Sequence, residues 1–389
     1  MRSMVQAAAR AETLSTIVAD RLKPLAPRID ADGHYPADIL HDLGVAGAFG
    51  HHAVSRHGAN GRDGTGLQLA IQAMTEIGAV CLSTAFCVWC QDALVWYLDR
   101  SENPIARKTY LELVATGRLL GGTGLSNPMK ALSGIEPLAL RGVRVPGGYR
   151  VTGRLPFVSN LDLGHLFASV FALDGEPNRR IMALFRTGRD GISLARNAHF
   201  IALEGTATYT VLIRDAFVAD DDILSDDADR FIPRIRKGFV LLQAGMGLGV
   251  ARGASLLMRQ DGPGRRHAVH LPLGPDQIDA RAAALEDRVS VHARSAEDPD
   301  RGSFLDVLRT RLDISWLALE AAQAAVLQFG ARGYLIGAEA ERRSREAQFV
   351  AIVTPSIKHI LAELAKQPSA SHGETSTSDG RSDVSLFDA

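Results

Sequence analysis

The strongest constraint on this chain is that the spacing of its apolar residues changes twice. From about residue 5 to 118 they recur at helical spacing, as in Leu67, Ala70, Ile71, Met74 and Ile77, interrupted by a loop from His51 to Gly66. From about Gly121 to Leu224 the runs become short and β-rich. Val143 to Val145 and Tyr149 to Val151 flank the turn Pro146-Gly147-Gly148, and Leu166 to Leu173, Ile181 to Phe185 and Ala207 to Val218 follow. Helical spacing then returns, most clearly in Ile314, Leu317, Ala318, Ala321, Ala322, Ala325 and Val326. Helices and strands bury their apolar faces at different periods, so a segment patterned for one does not pack as the other. The chain therefore reads as α+β: a helical domain at 1–118, a β domain at 119–225 and a second helical domain at 226–365. Strands joined by turns without crossover helices point to an antiparallel sheet or barrel. The last helical stripe is wide enough to pack in a bundle. Residues 366–389 are rich in Ser, Thr, Gly and Asp and read as a disordered tail.

Composition removes several classes of function. The chain has 389 residues with 43 basic against 44 acidic side chains, a net charge of −1, and so no basic footprint for nucleic acid or an anionic membrane. Three cysteines, Cys81, Cys87 and Cys90, cannot staple a chain of this size, and the N-terminal residues contain acids without a clean apolar core. The expected compartment is cytoplasmic. Gly238 to Met258 is apolar enough to suggest a membrane span, but it carries Gln243, Arg252 and several interior glycines, so it reads as a buried helix. Gly245, Gly247 and Gly249 lack both the spacing and the leading strand of a dinucleotide fingerprint. Cys87-Val88-Trp89-Cys90 lies in an apolar helical pattern without a second CxxC, which favours packed thiols over a metal or redox site. His51, His52 and His57 fall in a glycine-containing loop, where a solvated loop is the plainer reading and an acid or base over a pocket the sharper one.

The helical, β, helical order and the motifs at its joints resemble the acyl-CoA dehydrogenase superfamily of flavoproteins over roughly residues 10 to 362. Leu125-Ser126-Asn127-Pro128 is similar to the Thr-Glu-Pro segment that binds the pyrimidine side of the flavin. Gly153-Arg154-Leu155-Pro156-Phe157-Val158-Ser159-Asn160 resembles the Gly-x-Lys-x-Trp-Ile-Thr-Asn strand against the isoalloxazine, with Phe157 for Trp and Ser159 for Thr. Phe329-Gly330-Ala331-Arg332-Gly333-Tyr334 is similar to Leu-Gly-Gly-x-Gly-Tyr, and Arg342-x-x-Arg345-Glu346-Ala347 to Arg-x-x-Arg-Asp-Ala. Gly205-Thr206-Ala207-Thr208 with Asp215-Ala216-Phe217-Val218 resembles the strand pair closing the β domain. The resemblance implies an N-terminal helical domain, a central antiparallel β-barrel, a C-terminal four-helix bundle, and a homo-oligomer of four or two chains. It also implies a cofactor, FAD or FMN, held by Thr123, Leu125, Ser126, Phe157, Val158 and Ser159 around the ring and by Ala331 and Ser356 near the phosphate or ribose end. It places Leu132 and Asp92 beside a small-molecule substrate, although Asp92 alone reads more simply as a helix-surface acid or ion pair.

The departures bear on chemistry. Carried from Arg345 without a gap, the register puts Ile352-Val353-Thr354-Pro355-Ser356 on the family's Ile-Tyr-Glu-Gly-Thr, so Thr354 occupies the position of the base and the catalytic residue is unknown. A threonine hydroxyl has no accessible basic form near neutral pH and cannot take a carbon-bound proton as a carboxylate does. The alternative family position, on the helix around Phe239 to Gly249, holds no acid either. Ala131-Leu132-Ser133 replaces Gly-Ser-Asp, and Gly262 to Gly274 replaces the Arg-x-x-Phe-Gly segment. His359 receives no role. Two-component monooxygenases of the same superfamily also lack the Glu and take reduced flavin from a partner reductase. Three readings follow: such a monooxygenase, an acyl thioester dehydrogenase with a displaced base, or a flavin-free structural or binding subunit.

Overall fold

The computed structural model describes residues 12–53, 63–196, 198–262 and 268–366. His57 and the expected tail from 367 onward lie outside the described residues. The first segment is helical: Leu14–Thr16 and a π-helical turn, Ile17–Leu22, lead into α1 (Lys23–Ala31). It is followed by α2 (Ala37–Val45), α3 (Thr65–Gly78), α4 (Leu82–Arg100) and α5 (Pro104–Ala115). All residues of α4 are buried, which explains why it carries no polar stripe and marks it as the central helix. Asn103 starts α5 by accepting from the N–H groups of Ile105 and Ala106, with Pro104 in the first turn where its missing donor is harmless.

The β segment comprises β1 (Gly121–Thr123), α6 (Ser126–Leu132), β2 (Leu140–Val145), β3 (Gly148–Val158), β4 (Leu166–Leu173), β5 (Glu176–Arg186), β6 (Ile192–Ala195), β7 (Tyr209–Ala219) and β8 (Ile223–Ser225). The expected closed antiparallel barrel does not form. The strand order β6-β7-β3-β2-β4-β5-β8 leaves two open ends, and β4 pairs in parallel with both β1 and β2. The reason lies in the connections: α6 carries the chain from β1 to β2, and a loop carries it from β3 to β4. β1 runs beside residues 166–168 of β4 and β2 beside residues 172–173 of the same strand.

The third segment contains α7 (Ala228–Leu242), α8 (Ala244–Gln260), α9 (Pro275–Ala293), α10 (Arg301–Phe329), α11 (Glu339–Ile352) and α12 (Ile357–Ala365). Asp227 and Asp300 cap α7 and α10 through the N–H groups of Arg230 and Ser303. The run Ala228–Gln260 is long and apolar enough to cross a membrane, but 83% of its most apolar window is buried inside the protein. The C-terminal helices do not form a self-contained four-helix bundle, because α3 packs closely on α8 alongside α10 and α9. One apolar core accordingly runs through both helical segments, and the sheet has a second core of its own. At Gly238 the close packing has a direct cause, since a Cβ there would lie 2.2 Å from the Trp96 ring.

The two ends of the helical core are joined by charge. Glu346 on α11 is buried, and its carboxylate accepts from the Leu82 N–H (3.2 Å), Arg342 (3.1 Å) and Arg343 (3.0 Å). Arg342 and Arg343 also donate to carbonyls at the turn between α3 and α4, including Val80 (2.9 Å) and Gly78 (3.1 Å). Removing one partner of such a cluster leaves uncompensated charge in the core. Glu346→Leu is therefore expected to lower stability by about 3–5 kcal/mol. The exposed Arg281–Glu320 pair supplies the control, since Glu320→Gln should cost under about 1 kcal/mol. Urea unfolding midpoints check both, and equal losses would refute the clamp.

Candidate functional site

A cavity of about 440 Å³ opens where the sheet meets α4, α6, α7 and α11. Its apolar walls are aromatic. Phe86 and Trp89, one helical turn apart on α4, stack at 5.5 Å. Phe349 of α11 meets Phe86 edge-on at 4.6 Å, and Phe239 of α7 meets Trp89 at 5.1 Å. Trp89 Nε1 also donates to the Phe239 carbonyl at 3.3 Å, so the indole leaves no buried donor unpaired. At the mouth, the half-exposed Phe157 contacts Phe200 at 5.8 Å.

The polar lining consists of hydroxyls. Ser126 at the start of α6 lies 2.8 Å from the Thr354 hydroxyl. Ser159, just beyond β3, lies 2.6 Å from Thr208, which lies 2.7 Å from Thr206. Thr123 of β1 receives the Leu125 N–H at 3.3 Å and lies 3.1 Å from the Tyr97 hydroxyl. Backbone approach fixes part of this geometry, because a Cβ at Gly122 would lie 2.2 Å from the Ser159 carbonyl. Only glycine lets β1 run so close.

Thr354 is held from behind as well. Gln243, at the break between α7 and α8, donates to the Thr354 carbonyl at 2.8 Å and accepts from Arg311 Nε at 3.0 Å. Arg311 is buried and also donates to the Val350 carbonyl (2.7 Å) and to Ser315. Burial without a neighbouring carboxylate pushes its guanidinium down to about 10.

Charged groups in the wall are neutralised outside it. Lys130 pairs with Glu136 at 3.2 Å, and Arg345 pairs with Asp30 at 2.6 Å and with Glu341. Those pairs hold the Arg345 guanidinium above its ordinary range. Among the described residues no Asp or Glu lines the cavity. What remains is a mostly apolar slot with neutral donors and acceptors, suited to a flat, uncharged ring system bearing polar edges.

Of the residues singled out from sequence, Thr123, Ser126, Phe157, Ser159 and Thr354 line this cavity. Leu125 and Val158 are buried. Five positions differ from expectation. Asp92 points away, into the core, where its carboxylate accepts from the Gly50 N–H at 2.9 Å and pairs with His52 at 3.1 Å. It is neither a substrate contact nor a surface acid, because the side of α4 that carries it packs on the loop 50–53 rather than on the cavity. His52 is correspondingly buried rather than solvated. Leu132 is half-exposed at the end of α6, and Lys130 of the same helix lines the cavity instead. Ala331 is exposed in the turn Gly330–Tyr334, and Ser356 caps α12 by accepting from the His359 N–H at 3.3 Å, so both stand outside the cavity. His359 reaches the Ser133 hydroxyl at 2.9 Å.

Sequence reasoning passed over the aromatic wall and Thr206 and Thr208 as site residues. A signal was present: Arg345, Phe349 and Ile352 follow i, i+4, i+7 spacing on α11, as one cavity-facing stripe requires.

Comparison with known proteins places this geometry in context. The family described as acyl-CoA dehydrogenase, N-terminal domain, matches residues 6–118. Benzylmalonyl-CoA dehydrogenase of Aromatoleum aromaticum is 23% identical over 92% of this chain and 97% of its own. Butyryl-CoA dehydrogenase from Megasphaera elsdenii superposes with a TM-score of 0.76 at 16% identity, covering 90% of this chain and 95% of that one. A KijD3 solved with FMN and dTDP-3-amino-2,3,6-trideoxy-4-keto-3-methyl-D-glucose superposes with a TM-score of 0.73 at 19% identity, covering 92% and 94%.

The CxxC pair is also settled by placement. Cys87 and Cys90 are free and buried, and desolvation pushes both thiols well up. A membrane-impermeant maleimide should therefore label neither cysteine in the native protein and both after denaturation. Native labelling at either position, read by mass spectrometry, would contradict the packed-thiol assignment.

Proposed function

We propose that this chain is a flavin-dependent oxidoreductase of the acyl-CoA dehydrogenase superfamily and acts as the oxygenase of a two-component monooxygenase. One observation carries the reading. The hydroxyl of Thr354, in the base position, is hydrogen-bonded to Ser126 in a cavity whose described wall contains no carboxylate. An acyl thioester dehydrogenase needs a group that removes a carbon-bound proton, and neutral hydroxyls do not serve. An oxygenase needs instead a dry pocket that shields reacting groups from water.

The residues present fit a flavin, FAD or FMN. Thr123, Ser126 and Ser159 would supply polar partners to the edges of its ring, and Phe157 and the aromatic wall an apolar surface. Bound flavin supplies the two-electron chemistry with oxygen. The protein's part is separate. The Ser126–Thr354 pair presents a hydroxyl proton at the polar edge, and Gln243 and Arg311 hold the Thr354 carbonyl so that the pair keeps its place. Phe86, Trp89, Phe239 and Phe349 exclude water. The reading brings with it a separate flavin reductase as partner, a small-molecule substrate, a homo-oligomer and a cytoplasmic setting. That KijD3 was solved with both FMN and a nucleotide sugar supports the use of this fold on substrates other than thioesters.

The names of the relatives favour a second reading, oxidation of an acyl thioester with a base from elsewhere. Two measurements separate them. On mixing the anaerobic complex of protein and reduced flavin with oxygenated buffer, oxygen should be consumed in a phase that clearly precedes recovery of the oxidised-flavin absorbance. Coincident single-phase kinetics would overturn the monooxygenase reading. Thr354→Glu places a carboxylate in the base position, and acyl-CoA oxidation with a dye acceptor should remain at background. A gain of about a hundredfold or more, the low end of about 10²–10⁴-fold for a positioned acid or base, would move the assignment to the dehydrogenase.

A further inference from the structure

A serine, a histidine and a carboxylate converge outside the cavity, where α6 ends against α12. His359 Nε2 lies 2.9 Å from the Ser133 hydroxyl. Glu363 stands one helical turn beyond His359, and both are buried. The Glu363 charge acts on the imidazole and favours a proton on the ring nitrogen that Ser133 does not use. Nε2 is then the acceptor and the Ser133 hydroxyl the donor. Burial, reinforced by the ammonium groups of Lys366 and Lys130, holds the imidazole below its ordinary range, so the ring is a free base at neutral pH. Glu363 is held in turn by Lys366 at 2.6 Å and faces Arg301 of α10 at 3.8 Å. Ser133 itself is only partly buried, on the surface turn that ends α6.

A nucleophile that attacks a carbonyl also needs donors for the negative charge it creates, and here the backbone offers none. The N–H groups of Ser133, Gly134 and Ile135 are spent on the carbonyls of Met129, Ala131 and Lys130, the closing turn of α6. Two ammonium groups take their place. Lys366 Nζ donates to the Ser133 carbonyl at 3.0 Å and to Glu363, while Lys130 Nζ meets the two oxygens of one carboxylate, Glu136. An ammonium carries three protons, so each lysine keeps one to give. The same two charges that depress the imidazolium therefore favour an oxyanion beside the serine.

We infer that Ser133, His359 and Glu363 form a second catalytic site, one that hydrolyses small carboxylic esters with short apolar acyl groups. Ser133 is the nucleophile, His359 the base, and Glu363 the positioning residue that sets the tautomer. Ser133 Oγ bonds to the acyl carbon as its proton passes to His359 Nε2. The C–O bond to the alcohol then breaks, and that proton leaves with the alcohol. Water adds to the acyl-serine and gives a proton to His359, which returns it to Ser133 Oγ as the acid departs. The balance is ester plus water to acid plus alcohol. The acyl class follows from the surroundings: the serine lies on an open turn between Leu132 and Ile135, which are 40% and 50% exposed and suit a short apolar chain. This activity stands apart from the flavin reading and goes beyond it.

The full-length protein is assayed without added flavin. A fluorophosphonate probe should attach to Ser133, as located by peptide mass spectrometry, and p-nitrophenyl butyrate should be hydrolysed. Ser133→Ala and His359→Asn should each lower the hydrolysis rate by about a hundredfold or more, the low end of about 10²–10⁴-fold for a positioned acid or base. The rate should rise with pH as His359 loses its proton, with a midpoint below the ordinary histidine value of about 6.5. Glu363→Gln removes the charge that favours the imidazolium and should move that midpoint lower still, a change that loss of packing alone does not produce. Hydrolysis undiminished in Ser133→Ala overturns the assignment, as does a midpoint unmoved in Glu363→Gln. If a variant does not fold, the wild-type protein decides, since a probe that leaves Ser133 unlabelled overturns the site.

Discussion

Glu346 is a carboxylate removed from water near the C-terminal end of the chain, and the positions of the cavity walls depend on what neutralises it. Two arginines from its own helix and the backbone N–H of Leu82 converge on its oxygens. The same arginines reach the carbonyls left open where α3 ends. Burying three charges is costly unless they find partners, and the placement of α11 against the α3–α4 turn provides them to the Glu346 carboxylate and to the terminal nitrogens of both arginines. With that placement set, Phe349, one helical turn beyond Glu346, meets Phe86 of α4 at 4.6 Å. The ion cluster is thus a device for register as much as for stability.

A second constraint comes from the sheet. β1 and β2 lie in succession along one edge of β4, and α6 leaves through the interval between them. That exit delivers Ser126 to Thr354 across 228 residues of sequence. The close approach of β1 at Gly122 puts Thr123 and Ser159 on neighbouring parts of the same wall. Chain segments with separate apolar cores therefore supply one polar lining, assembled from hydroxyls and free of unpaired charge. Lys130 and Arg345 contribute their stems to the wall, while their charges are matched by acids outside it.

Much of this was legible beforehand. The two changes of apolar period located the helical and β segments, because burial of a helix stripe and of a pleated face requires different spacing. Ser126, Phe157 and Ser159 were found because each keeps a hydroxyl or ring at a position of a family motif, and Thr354 because the register carried from Arg345 puts it at the position of the family's base. Asp92 was not legible: on a helix buried all round, periodicity does not tell which side faces the cavity and which faces the loop carrying His52. Nor was the openness of the sheet, since strand pairing is a long-range choice and alternation within a strand says nothing about its neighbour.

By itself the sequence determined the order of elements and the buried character of the run from Ala228 to Gln260. Those properties are local, carried by side-chain type and spacing along the chain. Only the tertiary structure decided that Thr354 meets Ser126, that Arg311 supports it through Gln243, and that Asp92 pairs with His52 away from the cavity. The physical reason is that a hydroxyl or a guanidinium has no role until its partners are named, and here those partners come from distant segments brought together by the shared core and by the Glu346 cluster.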